Sequence, residues 1–328
     1  MGTLISVCVP VFGTEAVLER CLLSIVAQDF SSLEVIVVND ASTGKNSKGW
    51  NAEKITKEVL KKNKIPYKYA EHKTNLGLIE TRRDAVALSS GKYIFIMDSD
   101  DFLSNPCALS KLYCVAQTHD ADIVNSRCTV WSNFPEERAF AVKDYEKKMS
   151  LFIPGPMEGH DIFLNFVVHK KYLGFLWAKL YKKDLVKKAF DAIPFTYCVM
   201  AEDYLLFFFL SLFAKKYYGV EERYYSYSID SGISSYSKIN SISQWQKQCT
   251  ASSVFNVLFA YIEEHYDDFT PEERNAIRQQ CNQFLENNLT CLKIRVAPQL
   301  QEQAYALLCE MWGEDYVKAI EQLIQQKQ

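Results

Sequence analysis

The chain has 328 residues, 48% hydrophobic and 23% charged, enough apolar surface for one large domain or two ordinary ones. A net charge of -3 and a pI near 6.0 leave no basic excess, which sets nucleic-acid binding aside as the main task. Ten cysteines lie singly along the chain, without a Cys-x-x-Cys pair or a histidine cluster at zinc spacing, and predict reduced thiols in a cytoplasmic protein.

In chain order, Met1 to Pro10 lacks the basic start and apolar length of a secretory signal, and Leu4 to Val11 reads as a β-branched strand. A helix to about Gln28 follows, with Thr14 as its cap, Glu15 in its first turn, and Leu18, Leu22 and Ile25 as its inward stripe. Val35 to Val38 is the second strand, Glu53 to Lys62 a helix, Tyr67 to Ala70 a third strand and Ile79 to Ser89 a helix. Between the second strand and its helix, Gly44 to Trp50 fails the P-loop pattern and reads as a loop. The single Gly13 after the first strand excludes the three-glycine dinucleotide fingerprint. Lys92 to Met97 is a fourth strand, so the alternation predicts an α/β fold with a mixed, mainly parallel sheet flanked by helices.

That fourth strand runs directly into Asp98-Ser99-Asp100-Asp101, and ligands in such sheets bind beyond the carboxyl ends of strands. On an extended segment Asp98 and Asp100 point the same way and could share one divalent cation; a turn capping the helix near Asn105-Pro106 is the other reading. The Tyr204 to Phe213 run is the longest apolar stretch, about half of the ~20 residues that span a bilayer, and predicts a buried helix. Lys179 to Lys188 reads as a solvated helix face or as a peripheral contact with an anionic membrane surface. Aromatic density between Ala121 and Tyr227 is high, as a core requires, and Trp177 is the one ring expected near the site; His160 and His169 have no ligand-spaced partner.

After about Asn240 the pattern turns helical: Gln244 to Glu264, then a helix opened by Thr270-Pro271-Glu272-Glu273 as cap, first-position proline and capping-box glutamate. The expected division is an α/β domain over 1–237, in two parts divided near residue 120, and a helical domain over 238–328. Phe284, Leu285, Leu289 and Leu292 form a stripe for packing on the α/β domain or for a homo-oligomer.

Six segments in order resemble the family 2 glycosyltransferases of the A-type nucleotide-sugar fold. They are Ser6 to Phe12 (SVCVPVF), Val37 to Ser42 (VVNDAS), Asn75-Leu76-Gly77 with Arg82, Phe95 to Asp101 (FIMDSDD), Trp177 to Tyr181 (WAKLY), and Ala201-Glu202-Asp203. The resemblance implies an inverting, non-processive hexosyltransferase of cell-envelope polysaccharide type, with residues 1–237 as its catalytic domain, nucleotide-binding to about 120 and acceptor-binding beyond it. It would move one sugar from a nucleotide diphosphate-sugar, a UDP-sugar, to a hydroxyl of a carbohydrate, lipid-linked or protein acceptor. It places Pro10, Val11, Phe12, Asp40 and Asn75 near the base, Arg82 near the diphosphate, Asp98 and Ser99 at the donor, Asp100 and Asp98 on Mn²⁺ or Mg²⁺, and Asp203 as catalytic base. From the residues alone, Asp40 could instead close a turn with Ser42, Arg82 could be solvated, and Glu202-Asp203 could be an acidic first turn. Two departures stand out: Ala41 replaces a usual glycine and Arg83 a usual asparagine. A haloacid-dehalogenase-like phosphatase and a non-catalytic nucleotide-sugar-binding protein are the alternatives, and Phe102 disfavours the first.

Overall fold

The computed structural model of the chain describes residues 2–230 and 238–326. Two compact units divide it: Met1–Ile193 with Leu206–Ser235, and Pro194–Leu205 with Tyr236–Gln328. The expected boundary at residue 237 lies outside the described residues, and residues 194–205, expected on the catalytic side, group with the C-terminal helices.

The first unit begins β1 (Ile5–Val11), α1 (Glu15–Val26), β2 (Leu33–Asn39), α2 (Ala52–Thr56), β3 (Tyr67–Glu71), α3 (Leu78–Leu88), β4 (Tyr93–Ile96). Every residue of β1, β2 and β4 is buried, as continuous β-branched runs covered on both faces require. These strands pair in parallel in the order β3-β2-β1-β4, with Val11 beside Asn39, so the carboxyl ends of β1 and β2 are level. The sheet continues through β5 (Phe102–Leu103), β6 (Ile123–Trp131), β7 (Gly155–Glu158), β8 (Lys179–Lys182) and β9 (Lys216–Ser228). Beyond β4, pairing is antiparallel except between β6 and β9, which makes the nine-stranded sheet mixed. Helices α4 (Ala108–Thr118), α5 (Ala139–Met149), α6 (Asp161–Val167) and α7 (Lys183–Asp191) fill the crossovers. On α7 the residues Leu185, Val186, Ala189 and Phe190 are buried, while Lys187 and Lys188 are exposed.

Glu34, 5% exposed at the start of β2, accepts from the Ser6 hydroxyl (2.6 Å), the Ser90 hydroxyl (2.8 Å) and the Ser90 N–H (2.5 Å), tying β2 to β1 and to the turn before β4. Burial pushes its carboxyl up, but these hydrogen bonds outweigh that and hold it below the usual carboxylate range. A depressed folded-state pKa gives stability above the ordinary glutamate pKa that is lost as pH falls through the folded value. Glu34→Gln should therefore cost about 1–2 kcal/mol at pH 7 in thermal unfolding, and the gap to the native protein should close as pH falls below ~4.

Helix α8 (Glu202–Phe213) starts in the second unit and ends in the first, as its residue numbers require. The second unit continues with α9 (Ile242–Cys249), α10 (Ala251–Glu264), α11 (Pro271–Arg295), α12 (Gln301–Trp312) and α13 (Glu314–Gln326). The helix expected over Gln244 to Glu264 is broken at Thr250, whose hydroxyl accepts from the Val199 and Met200 N–H groups (3.1 and 3.0 Å). The capping box of α11 forms as read: Thr270 and Glu273 satisfy each other's backbone N–H. Leu285, Leu289 and Leu292 are spent on this unit's own core, and Phe284 meets Tyr204 and Phe255 within it. Among the described residues no helix is long and apolar enough to cross a membrane.

Candidate functional site

The motif residues of the first four segments gather where β1, β2 and β4 end. Pro10 and Val11 are buried in β1, and Phe12, immediately beyond, is 48% exposed. Gly13 N–H donates to the Ser42 hydroxyl (2.9 Å), which donates in turn to Glu15 Oε1 (2.5 Å), locking the β1 turn to the β2 turn. A Cβ at Gly44 would meet Glu15 Oε2 at 2.1 Å, so a side chain there would displace the Glu15 carboxylate. Between Gly44 and Trp50 the loop is organised by Asn46 Oδ1, which accepts from the Lys48 and Trp50 N–H groups (both 3.0 Å). Thr14 precedes α1 but makes no capping bond; its hydroxyl shares a 2.7 Å hydrogen bond with the Ser99 hydroxyl of the acidic segment.

Asp40 is 3% exposed, and each of its oxygens already accepts twice. Oδ1 takes His72 Nδ1 (2.7 Å) and Leu76 N–H (2.8 Å); Oδ2 takes Asn75 Nδ2 (2.7 Å) and Gly77 N–H (3.0 Å). A carboxylate offers about four such positions. The geometry thus gives Asp40 the task of building the 72–77 loop, with Asn75 as its partner, rather than a vacant acceptor for a base. The turn weighed for Asp40 with Ser42 is closed by Asn39 instead, whose Oδ1 accepts from Ser42 N–H three residues on (2.9 Å). Gly77 sits at φ 88 and opens α3, where a left-handed residue without a side chain is needed.

Ala41, the departure from the usual glycine, has φ 59, and Ala178 (φ 56) and Ala201 (φ 68) are also left-handed. All three lie inside motif segments, a pattern of strain held by surrounding contacts. Ala41→Gly should relieve it and raise thermal stability by up to about 1 kcal/mol.

Arg82 is 1% exposed and its Nη2 donates to Asp98 Oδ1 at 3.0 Å, which rules out a solvated role. Arg83 holds the end of α7, with Nη1 on the Phe190 carbonyl (2.6 Å) and Nη2 on that of Ile193 (2.9 Å), while Nε pairs with Glu80.

The acidic segment is not extended. Strand β4 ends at Ile96, and Asp101 N–H donates to the Asp98 carbonyl (3.1 Å), closing a turn, so the expected same-side alternation of Asp98 and Asp100 does not apply. Nor do the aspartates cap α4, since Cys107 N–H is met by Asn105 Oδ1 (2.8 Å). Asp101 is instead the anchor: Oδ2 accepts from the Tyr225 hydroxyl (2.6 Å) and Oδ1 from Ser228 N–H (2.7 Å), while Tyr225 also accepts from Asp98 N–H (3.2 Å). Burial first, then the charges of Asp100 and Asp98, push the Asp101 carboxyl well up, so three carboxylates are concentrated here. Asp98 and Asp100 are half-buried and Ser99 is buried.

Trp177 is 4% exposed and stacked on Phe175 (4.8 Å, 10°), Tyr225 (5.0 Å, 8°) and Tyr227 (5.0 Å, 17°). Its faces are covered by protein rings, so it braces Tyr225 rather than offering a platform to a sugar. Nothing in local sequence distinguishes such a brace from a ligand ring. Asp203, half-buried in the first turn of α8, follows left-handed Ala201, and the preceding residues are pinned by Thr250.

The donor set suits a hard cation, because Mg²⁺ in nucleotide sites takes one or two carboxylates, with waters and ligand phosphates completing the shell. Among the described residues no group of three or more His, Cys, Asp or Glu could hold an ion alone, so phosphates would have to contribute.

The model of glycosyl transferase family 2 matches residues 6–175, just over half of the chain and four of the six motif segments entirely. The chain belongs to glycosyl transferase family 2. Membership removes the phosphatase alternative. Among curated relatives it is 26% identical over 189 residues to the uncharacterized glycosyltransferase EpsJ of Bacillus subtilis, covering 58% of this chain and 51% of that one. The chain spans about half or less of the length of the first curated relatives it matches. Of solved structures, S. aureus TarS 1-349 in complex with UDP-GlcNAc aligns with a TM-score of 0.57 at 20% identity, covering 99% of this chain and 93% of that one. Mannosyltransferase PcManGT from Pyrobaculum calidifontis, in complex with GDP-Man and Mn²⁺, aligns with a TM-score of 0.54 at 13% identity, covering 98% and 86%. At these identities the likeness speaks for the fold, the α/β family architecture with C-terminal helices.

Proposed function

We propose that this chain transfers a single sugar from a UDP-sugar to an acceptor hydroxyl, with inversion at the anomeric carbon, in cell-envelope glycan assembly. The observation that carries the proposal is the acidic turn Asp98 to Asp101 at the carboxyl end of a parallel strand, with buried Arg82 bonded to Asp98. The family and the fold shared with UDP-GlcNAc-bound TarS support a nucleotide-sugar donor.

Asp100 and Asp98 are the residues to hold Mn²⁺ or Mg²⁺, whose chemistry when bound is to offset the negative charge of the diphosphate. Arg82 sets the position of Asp98 and brings a guanidinium to the same place. The exposed ring of Phe12 offers a stacking surface to the base, beside the backbone of Pro10 and Val11. Asp40 acts on the base through the loop it holds, together with Asn75. In a single displacement the acceptor oxygen bonds to the anomeric carbon as its bond to the diphosphate breaks, and the hydroxyl proton passes to the Asp203 carboxylate. The scattered cysteines, unpaired in the structure, support a cytoplasmic setting, and exposed Lys187 and Lys188 support a peripheral membrane contact.

The test is a thermal-shift and product-release panel of nucleotide sugars with and without Mn²⁺. Binding at 100 times the dissociation constant stabilises the native state by about 2.7 kcal/mol. A UDP-sugar should raise the melting temperature and release UDP on adding an acceptor. A panel in which no nucleotide sugar binds or is consumed would sink the proposal.

A further inference from the structure

Arg20 lies on α1, outside every motif segment and on the side away from the inward stripe of Leu18, Leu22 and Ile25, where helical periodicity marks a residue as solvated. The structure puts it elsewhere. Its guanidinium carbon is 4.1 Å from the Trp131 ring centroid and 4.8 Å from that of Phe102, and the two rings meet edge to face at 5.3 Å. Nη2 donates to the main-chain carbonyl of Asp100 at 2.5 Å, and Nε is buried without a hydrogen-bond partner. Asp101, Asp100 and Asp230 supply the negative charge around it. Asp230 is itself fixed by the Ser132 hydroxyl and the Asn133 N–H (both 2.6 Å).

The corner is costly to build unless it has a task. A guanidinium loses hydration when ringed by aromatics, and a flexible lysine could not stack and reach one carbonyl with the same rigidity. What the corner fixes is the backbone of the residue between Ser99 and Asp101. Ser99 is tied by Thr14, and Asp101 by Tyr225 and Ser228. The carbonyl of Asp100 is the remaining anchor of that turn, and Arg20 holds it.

We infer that Arg20 is a positioning residue for the acidic turn: through the Asp100 carbonyl it fixes the backbone that carries the Asp98 and Asp100 carboxylates before a divalent cation and a diphosphate arrive. The inference rests on the metal reading given above. It has a sign that simple electrostatics does not share. Removing a nearby positive charge would tighten cation binding by Coulomb's law, whereas losing the anchor loosens it, because groups that orient metal ligands typically account for about 10–100-fold in affinity.

The experiment is a Mn²⁺ titration of the full chain, followed by the electron paramagnetic resonance of free Mn²⁺, with UDP absent and then present. Arg20→Gln removes the charge and the anchor; Arg20→Lys keeps the charge and loses the planar fork; Trp131→Leu removes one wall alone. Both Arg20 variants should bind Mn²⁺ about tenfold more weakly, and Trp131→Leu should weaken binding in the same direction by less. A variant that had only lost stability would bind Mn²⁺ with native affinity in its folded fraction. Native or tighter affinity in folded Arg20→Gln overturns the inference. If neither Arg20 variant folds, unchanged affinity in Trp131→Leu overturns it. A native chain that binds no Mn²⁺, even with UDP, overturns the metal reading and the inference with it, an outcome distinct from equal affinity in native and variant chains.

Discussion

Asp100→Ala should leave a folded protein whose affinity for a UDP-sugar no longer responds to Mn²⁺ or to chelation, with turnover lower by about 10²-fold or more. The fold should survive because the turn is held by other groups. Asp101 is bonded to Tyr225 and Ser228, Ser99 to Thr14, and Arg20 reaches the Asp100 carbonyl rather than its carboxylate. Losing one of three crowded carboxylates also lessens their mutual repulsion. Calorimetric titration of donor into both proteins, with Mn²⁺ and with chelator, is the measurement. A native-like metal response in the variant would remove Asp100 from the site and leave Asp98, already committed to Arg82, as the sole proposed ligand.

Asp203→Asn should lower turnover by roughly 10²–10⁴-fold while leaving donor affinity nearly native. The acceptor proton has to leave as the new glycosidic bond forms, and a carboxylate with an ordinary pKa of about 3.9 can take it late, once the hydroxyl is bonded to an electron-poor carbon. Asparagine preserves shape but cannot accept that proton. An acidic first turn of a helix has another use, since it complements the macrodipole for about 0.3–1 kcal/mol. The two uses separate cleanly: a dipole role costs stability and spares activity per folded molecule, whereas a base role costs activity. Near-native turnover in folded Asp203→Asn would make Glu202 the next residue to test.

The placement of Asp203 also alters what a truncation means. Ending the chain near residue 237, which lies outside the described residues, would remove Thr250, and with it the hydroxyl that accepts from Val199 and Met200 just before Ala201. Such a chain should keep β1 to β4 intact, yet the segment carrying Asp203 would lose its support.

Local pattern determined a good deal of this protein. Apolar runs of strand length alternating with helical stripes set out β1 to β4, α1 and α3 to within a few residues and α2 at its start, because burial on both faces of a parallel strand and on one face of a helix leaves a period in the chain itself. Thr270, Pro271 and Glu273 fixed the start of α11 for the same reason: a cap is satisfied within four residues. The order of the six motif segments carried the family. Tertiary structure alone decided what those residues touch. Arg82 is buried with Asp98, 16 positions away, as its partner, Asp101 is an anchor because Tyr225 and Ser228 lie 124 and 127 positions away, and Trp177 is a brace because two rings of distant β9, Tyr225 and Tyr227, cover it together with neighbouring Phe175. Asp40 spends its oxygens on a loop more than 30 residues downstream, and Arg20 finds its corner between Phe102 and Trp131. Periodicity records whether a side chain is buried, and a short motif records its chemistry, but neither records its partner, because hydrogen bonds and ring contacts between distant segments are set by the path of the backbone between them.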